Sequence, residues 1–442
     1  MKMDIKQIVD DTRPYVTPIE EHPPVMDFGK SHGAYMHDLS QNKDKIDFVA
    51  SYAAVPVGYS HPKLRDPEFE KDLIEVSRVK IANLDILTHH YTEFLNTFRR
   101  VVGSEGFDHF FFIDGGGLAV ENAMKAAFDW KVRQNMRKGK GDRGYEILHF
   151  QDAFHGRTGY TLSVTNTQDP NKTKYFPKFN WPRVSNPMCS FPLEGENLEA
   201  TIAREEKSKA EIRKVLEEKA DDIAAILIET IQGEGGDHHF RKEFLQFLRD
   251  VCDEFNCLLI FDEVQCGMCV SGDSWTFESI GVKPDLVSFA KKAQVGGFFA
   301  GPKLMEEPDN VFVVPSRISS TWGSSLTDMV RCRRVLEIIE EENLKQNAAD
   351  RGKEILEGLE KVMQDGAPIS NIRGRGLFVA FDLDHPETRG KMMSDLADNG
   401  LLILPSGANT LRFRPHLNVT SEIVQEALDI LAKTFHQSAV PA

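Results

Sequence analysis

Long apolar runs, basic charge and cysteine are all scarce in this 442-residue sequence, and each scarcity removes a class of function. No stretch approaches the roughly 20 consecutive apolar residues needed to span a bilayer. Residues 1–10 (MKMDIKQIVD) lack the apolar centre of a secretory signal. Lys and Arg number 53 against 68 Asp and Glu, a formal net charge of −15, whereas a nucleic-acid partner selects a basic surface. The six cysteines are scattered as in a reduced intracellular protein. Cys266 and Cys269 have CxxC spacing, but no second CxxC or HxxxH supplies the other half of a zinc site. These absences predict a cytoplasmic protein with no metal, membrane or nucleic-acid partner.

What remains is ordinary for a globular enzyme, 41% hydrophobic and 27% charged, and long enough for two or three structural units. Short apolar runs at 109–113 (HFFFI), 147–150 (ILHF), 223–228 (IAAILI), 257–261 (CLLIF) and 286–289 (LVSF) read as buried strands. Between two of them, Phe240, Phe244, Leu248, Val251, Cys252 and Phe255 share one helical face. Strand, helix, strand in this order predicts an α/β fold with a mostly parallel sheet flanked by helices, and ligands bind beyond the carboxyl ends of such strands. After 328 the pattern changes to long helices, then short strands at 377–381, 401–404 and 411–413 and a closing amphipathic helix over 423–435. The expected division is a large domain over 61–327 and a small α+β domain over 328–442, with residues 1–60 joining the small domain.

Four features fall where the strands of the large domain should end. Asp114-Gly115-Gly116-Gly117 follows a strand and opens a helix over 118–131, so bare backbone and a helix N-terminus could seat a phosphate. Asp262 ends an apolar strand, where a buried carboxylate needs a cation such as a protonated pyridine nitrogen. Lys291 and Lys292 follow another buried strand, where desolvation lowers an amine's pKa and frees it for imine formation. Phe154-His155-Gly156-Arg157 offers an aromatic face beside a guanidinium that can pair with a carboxylate. Each alone has an ordinary explanation as a turn, a cap, a surface lysine or core. Together they compose one site. A nucleotide-binding dehydrogenase is disfavoured, because Gly115-Gly116-Gly117 is followed by Leu118, Ala119 and Val120 rather than by GxGxxG spacing.

The run LLIFDEVQCG (258–267), followed by PDLVSFAKK (284–292), resembles the signature of class III pyridoxal-phosphate-dependent aminotransferases. Longer stretches resemble the members of that class that take the terminal amine of lysine. They are GGGLAVENAMKAAFDWK (115–131), FHGRTGYTLSVTNT (154–167), IQGEGGD (231–237), PSRISSTWGSSLTDMVR (315–331) and LRFRPHL (411–417). The resemblance implies the fold type I architecture of pyridoxal-phosphate enzymes. It also selects Lys291 over Lys292 as the Schiff-base lysine and proton shuttle. Asp262 matches the partner of the pyridine nitrogen, Gln265 the neighbour of the ring hydroxyl, Phe154 the stacking ring, and Gly116 and Gly117 the phosphate-binding backbone. Thr321 matches a phosphate ligand from a partner subunit, which implies a homodimer with shared sites.

On the substrate side, Arg412 matches the receiver of the carboxylate next to the oxo group of 2-oxoglutarate. Glu234 matches the acid that pairs with Arg412 when lysine occupies the site, and Arg157 the holder of the distant carboxylate. The implied reaction moves the ε-amino group of L-lysine to 2-oxoglutarate in a ping-pong cycle, giving 2-aminoadipate 6-semialdehyde and glutamate. Two departures bear on the donor. Residues 268–272 read MCVSG rather than a glycine–aromatic–arginine stretch, and Ser319, expected at the substrate, replaces an amide. An ornithine- or 4-aminobutyrate-type aminotransferase is the alternative within the class, and a catalytically silent protein of the same fold the alternative outside it.

Overall fold

In the computed structural model, which describes residues 5–17, 24–82 and 85–439, strands β1 (Tyr35–Asp38) and β2 (Lys43–Asp47) pair antiparallel. The central sheet then takes β3 (His109–Ile113), β4 (Glu146–Phe150), β5 (Arg183–Val184), β6 (Ile223–Glu229), β7 (Leu258–Asp262), β8 (Leu286–Phe289) and β9 (Gly296–Ala300). Their spatial order is β3-β9-β8-β7-β6-β4-β5. Neighbours from β8 to β5 run parallel, while β9 is antiparallel to both β8 and β3. Two reversals restore direction, so the carboxyl ends of β3, β4, β6, β7 and β8 open on one edge of the sheet.

Strands β6, β7 and β8 are buried along their whole length, and alternate residues serve opposite faces. Ile226, Ile228, Leu259 and Phe261 join one hydrophobic cluster with Phe244, Leu248 and Val251 of the helix Lys242–Glu254. Ala225, Leu227, Leu258 and Ile260 join the other with Val120, Met124 and Trp130 of the helix Gly116–Arg137. Helices on both faces give the doubly covered α/β sheet that the apolar runs predict.

A second sheet holds β10 (Ser370–Arg375), β11 (Phe378–Asp382), β13 (Leu404–Ser406) and β14 (Thr410–Phe413), all antiparallel, in the order β10-β11-β14-β13. The single strand expected over 401–404 is instead two. Its first half, β12 (Leu401–Leu402), pairs parallel with β2, and its second half joins β14. Strands β1, β2 and β12 thus form a third sheet from both ends of the chain. Helices Leu326–Glu341 and Leu344–Gln364 precede β10, and Ser421–Ala439 follows β14. All six cysteines are buried and unbridged. Among the described residues no helix is long and apolar enough to cross a membrane.

Candidate active site

Two carboxylates lie side by side at the open edge: Glu229 ends β6, Asp262 ends β7, and the two are register partners. Both are at most 5% exposed, so each must be met by donors. Asp262 Oδ1 accepts from the Val264 N–H at 3.0 Å, and its Oδ2 lies 2.8 Å from Nδ1 of buried His155. Glu229 accepts from the N–H groups of Phe154 and Gly233, both at 2.9 Å. Burial, then the neighbouring charge of Asp262, pushes the Glu229 carboxyl well above the ordinary carboxylate range. Glu229 thereby ties the loop carrying Phe154 to the loop carrying Glu234.

Beyond β8 the chain turns sharply at Lys291, whose φ is +52°. Its Nζ donates to the Tyr52 carbonyl at 3.0 Å, and that of Lys292 to the Ala53 carbonyl at 3.2 Å. Those carbonyls belong to a run in which Ala50, Ser51, Tyr52 and Ala53 all have positive φ. Four consecutive non-glycine residues in that region are costly, about 1–2 kcal/mol each, and the turn aims their carbonyls at the lysine loop. Burial, then the charges of Arg412 and Arg414, lowers the Lys291 amine to about 8. Burial, then Arg414 and Lys291, lowers Lys292 to about 7. Depression is common to both, and what distinguishes them is their neighbours. Lys291 interacts with Asp262 and Glu229, and Lys292 with Cys266 and Cys269.

Gly115, with φ +90°, precedes the helix Gly116–Arg137 and gives it no side-chain cap, leaving first-turn N–H groups to an anion. A Cβ on Gly116 would stand 2.8 Å from Val264 Cγ1, and one on Gly117 3.3 Å from Thr158 Cγ2. Phe154 is half-buried beside this turn's loop partners.

The far end of the site is made of arginines. Arg412, on β14, gives one Nη to Gln265 Oε1 at 2.9 Å and stands 3.5 Å from Asp237 Oδ1. Its Nε is buried without a partner. Arg414 is fully buried, binds both Asp237 oxygens at 2.6 and 2.7 Å, and also reaches Gln265 Oε1. No ion pair joins Glu234 to Arg412, the pairing expected with lysine in the site. Glu234 Oε1 instead accepts from Lys172 Nζ at 2.6 Å and Thr167 Oγ1 at 2.7 Å, while Asp237 and Gln265 compensate the arginines.

Lys291, Asp262, Gln265 and Arg412 thus converge, with Gly116, Gly117, Phe154 and Glu234 on the loops around them. Arg157 is exposed. Ser319 and Thr321 are also exposed, on the segment before Leu326, and neither makes a hydrogen bond to this cluster. The sequence reading missed His155, Glu229, Asp237 and Arg414 as working groups, although His155, Asp237 and Arg414 lie within motifs it singled out. Lys172 carried no signal at all.

An uncapped helix terminus for a phosphate, a buried carboxylate for a ring nitrogen, a half-buried phenyl ring and a desolvated amine are a donor set that fits pyridoxal phosphate. Fold and site together define a class, and the chain belongs to it: residues 16–435 match the aminotransferase class-III family. It is a pyridoxal-phosphate-dependent transaminase of fold type I. Among its relatives, the L-lysine-epsilon aminotransferase of Mycobacterium tuberculosis (strain ATCC 25618 / H37Rv) is 43% identical over 407 residues, covering 91% of this chain and 90% of that protein. The L-lysine-epsilon aminotransferase of Streptomyces clavuligerus is 40% identical over 414 residues, with 93% and 90% covered. The solved structure of lysine aminotransferase from M. tuberculosis in the internal aldimine form superposes with a TM-score of 0.94 at 41% identity, covering 97% of this chain and 98% of that one.

Proposed function

We propose that this transaminase takes the ε-amino group of L-lysine and delivers it to 2-oxoglutarate, releasing 2-aminoadipate 6-semialdehyde, which cyclises, and L-glutamate. The observation carrying the choice of substrates is an arginine with an unpartnered buried Nε, Arg412, near a loop whose acid, Glu234, is turned onto Lys172. Gly233 packs against Gln265, the residue that Arg412 contacts, so Glu234 is one residue from the arginine's immediate surroundings. An open Arg412 suits the carboxylate beside the oxo group of 2-oxoglutarate. An Arg412 covered by Glu234 suits lysine, whose reacting end carries no carboxylate.

When bound, pyridoxal phosphate supplies an electron sink for the carbanion left by deprotonation of the substrate carbon. Lys291 holds the cofactor and, with its amine tuned near neutrality, takes and returns that proton. Asp262, oriented by His155 and the Val264 N–H, would hold the ring nitrogen in its protonated form. Gln265 would stand next to the ring hydroxyl, Phe154 would stack on the ring, and the Gly116–Gly117 turn would receive the phosphate. Arg157 is assigned the distant carboxylate of either substrate.

The exposed position of Thr321, away from its own chain's cluster, supports a homodimer in which each subunit completes the other's phosphate site, with Ser319 reaching the substrate there. The same reading divides the chain at about residues 60 and 327, supported by the way β1 and β2 pair with β12 rather than with the central sheet. The test is a substrate cycle on the purified protein. Lysine should bleach the visible absorption of the bound cofactor, and 2-oxoglutarate should restore it. A wide preference for ornithine or 4-aminobutyrate over lysine would defeat the donor assignment.

A further inference from the structure

Glu234 has somewhere to go. Its Oε1 sits between two donors, Lys172 Nζ at 2.6 Å and Thr167 Oγ1 at 2.7 Å. Thr167 is itself oriented, since Oγ1 accepts from the Asp169 N–H at 3.3 Å and so presents its own proton to the glutamate. Lys172 ends a short turn, Pro170–Lys172, that Asp169 caps through the Asn171 N–H at 3.0 Å. The three residues form one built loop facing the acid.

The backbone of Glu234 is meanwhile pinned. Its carbonyl accepts from the Gly407 N–H at 2.9 Å and from Ser406 Oγ at 3.2 Å, and the preceding carbonyl of Gly233 accepts from Ser406 Oγ at 2.5 Å. Motion is left to the side-chain torsions. With the acid turned toward Lys172, the Arg412 Nε is a buried donor without an acceptor, the state in which an incoming carboxylate gains most.

We infer that Thr167 and Lys172 form a dock for the Glu234 carboxylate that holds Arg412 open to an anionic substrate, making Lys172 a positioning residue that sets the balance between the two half-reactions. The inference rests on the proposed pairing of lysine with 2-oxoglutarate. The strength of the dock is suited to this role. The side chains of Lys172 and Glu234 are 30% and 22% exposed, and partly solvated ion pairs are weak enough to exchange. Lys172 also keeps a second anion, Asp169 at 3.9 Å, so it is not stranded when Glu234 leaves. A ligand that binds only one of two such states shifts the population by its differential affinity.

The test compares wild type with Lys172→Met, Lys172→Arg and Thr167→Val as cofactor-loaded full-length proteins. Glutarate, a dicarboxylate that cannot react, reports the open state by calorimetry, and single-turnover kinetics report each half-reaction. Lys172→Met should weaken glutarate and raise the KM for 2-oxoglutarate by about two- to fivefold. The ratio of the two half-reaction specificity constants should move toward lysine by the same factor. Lys172→Arg should recover most of this, and Thr167→Val should shift it in the same direction by less. Because Lys172 Nζ also lies 5.9 Å from the Phe154 ring centre, the cofactor's visible spectrum must match wild type. Unchanged glutarate affinity in Lys172→Met, or equal losses in both half-reactions, overturns the dock. Failure of the wild type to use lysine overturns the substrate reading instead, and the glutarate comparison still decides the dock.

Discussion

Nδ1 of His155 lies 2.8 Å from Oδ2 of Asp262, both side chains buried at the open edge of the central sheet. The histidine comes from the loop after β4 and the aspartate from the end of β7, so the contact spans 107 residues of sequence. With the Val264 N–H on the other oxygen, the carboxylate is held in one orientation beside a second buried acid, Glu229. That arrangement fixes one acid between an imidazole and a backbone donor and makes the other a clasp between two loops.

Replacing Asp262 with Asn should therefore preserve the fold and the contact surface but remove the charge. Turnover should fall by about 10²-fold or more, the scale of losing a preorganised electrostatic partner. His155→Ala should lower turnover less and weaken cofactor retention, because Asp262 then loses one donor at a cost of about 1–3 kcal/mol. Cofactor release on dilution and kcat for the two variants measure the order; a larger kcat loss in His155→Ala would reverse the assigned roles.

Lys291→Ala should abolish both turnover and the visible absorption of the bound cofactor, whereas Lys292→Ala should retain the absorption. In the cofactor-free protein, capture of pyridoxal phosphate should switch on as pH rises through about 8, where the Lys291 amine loses its proton.

The two lysines also predict a direction for stability. Both bind fewer protons folded than unfolded between about pH 7–8 and the ordinary lysine value of 10.5. The unfolded chain then carries the excess protons, so their contribution to stability grows as pH rises across that window. Thermal melts of the cofactor-free protein from pH 7 to 10, against a Lys291→Met/Lys292→Met variant, should show a steeper upward slope in wild type. Parallel slopes would mean the amines are not desolvated.

Asp237 is the counterion shared by Arg412 and fully buried Arg414. Asp237→Asn should cost about 3–5 kcal/mol in stability, the scale for leaving a buried charge unpaired, read from denaturant unfolding. Glu234→Ala, on a part-exposed side chain, should cost little stability but impair the lysine half-reaction more than the 2-oxoglutarate one.

Gly116→Ala should loosen the phosphate seat more than Gly117→Ala, because its Cβ meets Val264 Cγ1 at 2.8 Å and Val264 supports Asp262. Overpacking of this kind costs about 1–3 kcal/mol, which corresponds to at least a fivefold weaker hold on the cofactor, measured by equilibrium dialysis.

Much of this fold was legible because β6, β7 and β8 are buried on both faces and so read as unbroken apolar runs. Strand β9 (GGFFA) was not, since its glycines give no periodic signal; a Cβ on Gly297 would meet the Phe111 carbonyl at 2.2 Å. The run 401–404 looked like one strand because hydrophobicity records burial and not pairing, and its halves join different sheets. Motifs pointed to Asp262, Lys291 and Arg412. They could not show that Glu229 is the register partner of Asp262, nor that Glu234 rests on Lys172, because both facts arise only when distant loops meet. Lys172 sits in the polar stretch QDPNKT, which reads as ordinary surface.

The most direct measurement follows the nitrogen itself. Lysine labelled only at the ε-nitrogen, incubated with the protein, pyridoxal phosphate and 2-oxoglutarate, should yield labelled glutamate, while lysine labelled only at the α-nitrogen should yield none. Label arriving from the α-nitrogen, or in neither case, would contradict the account.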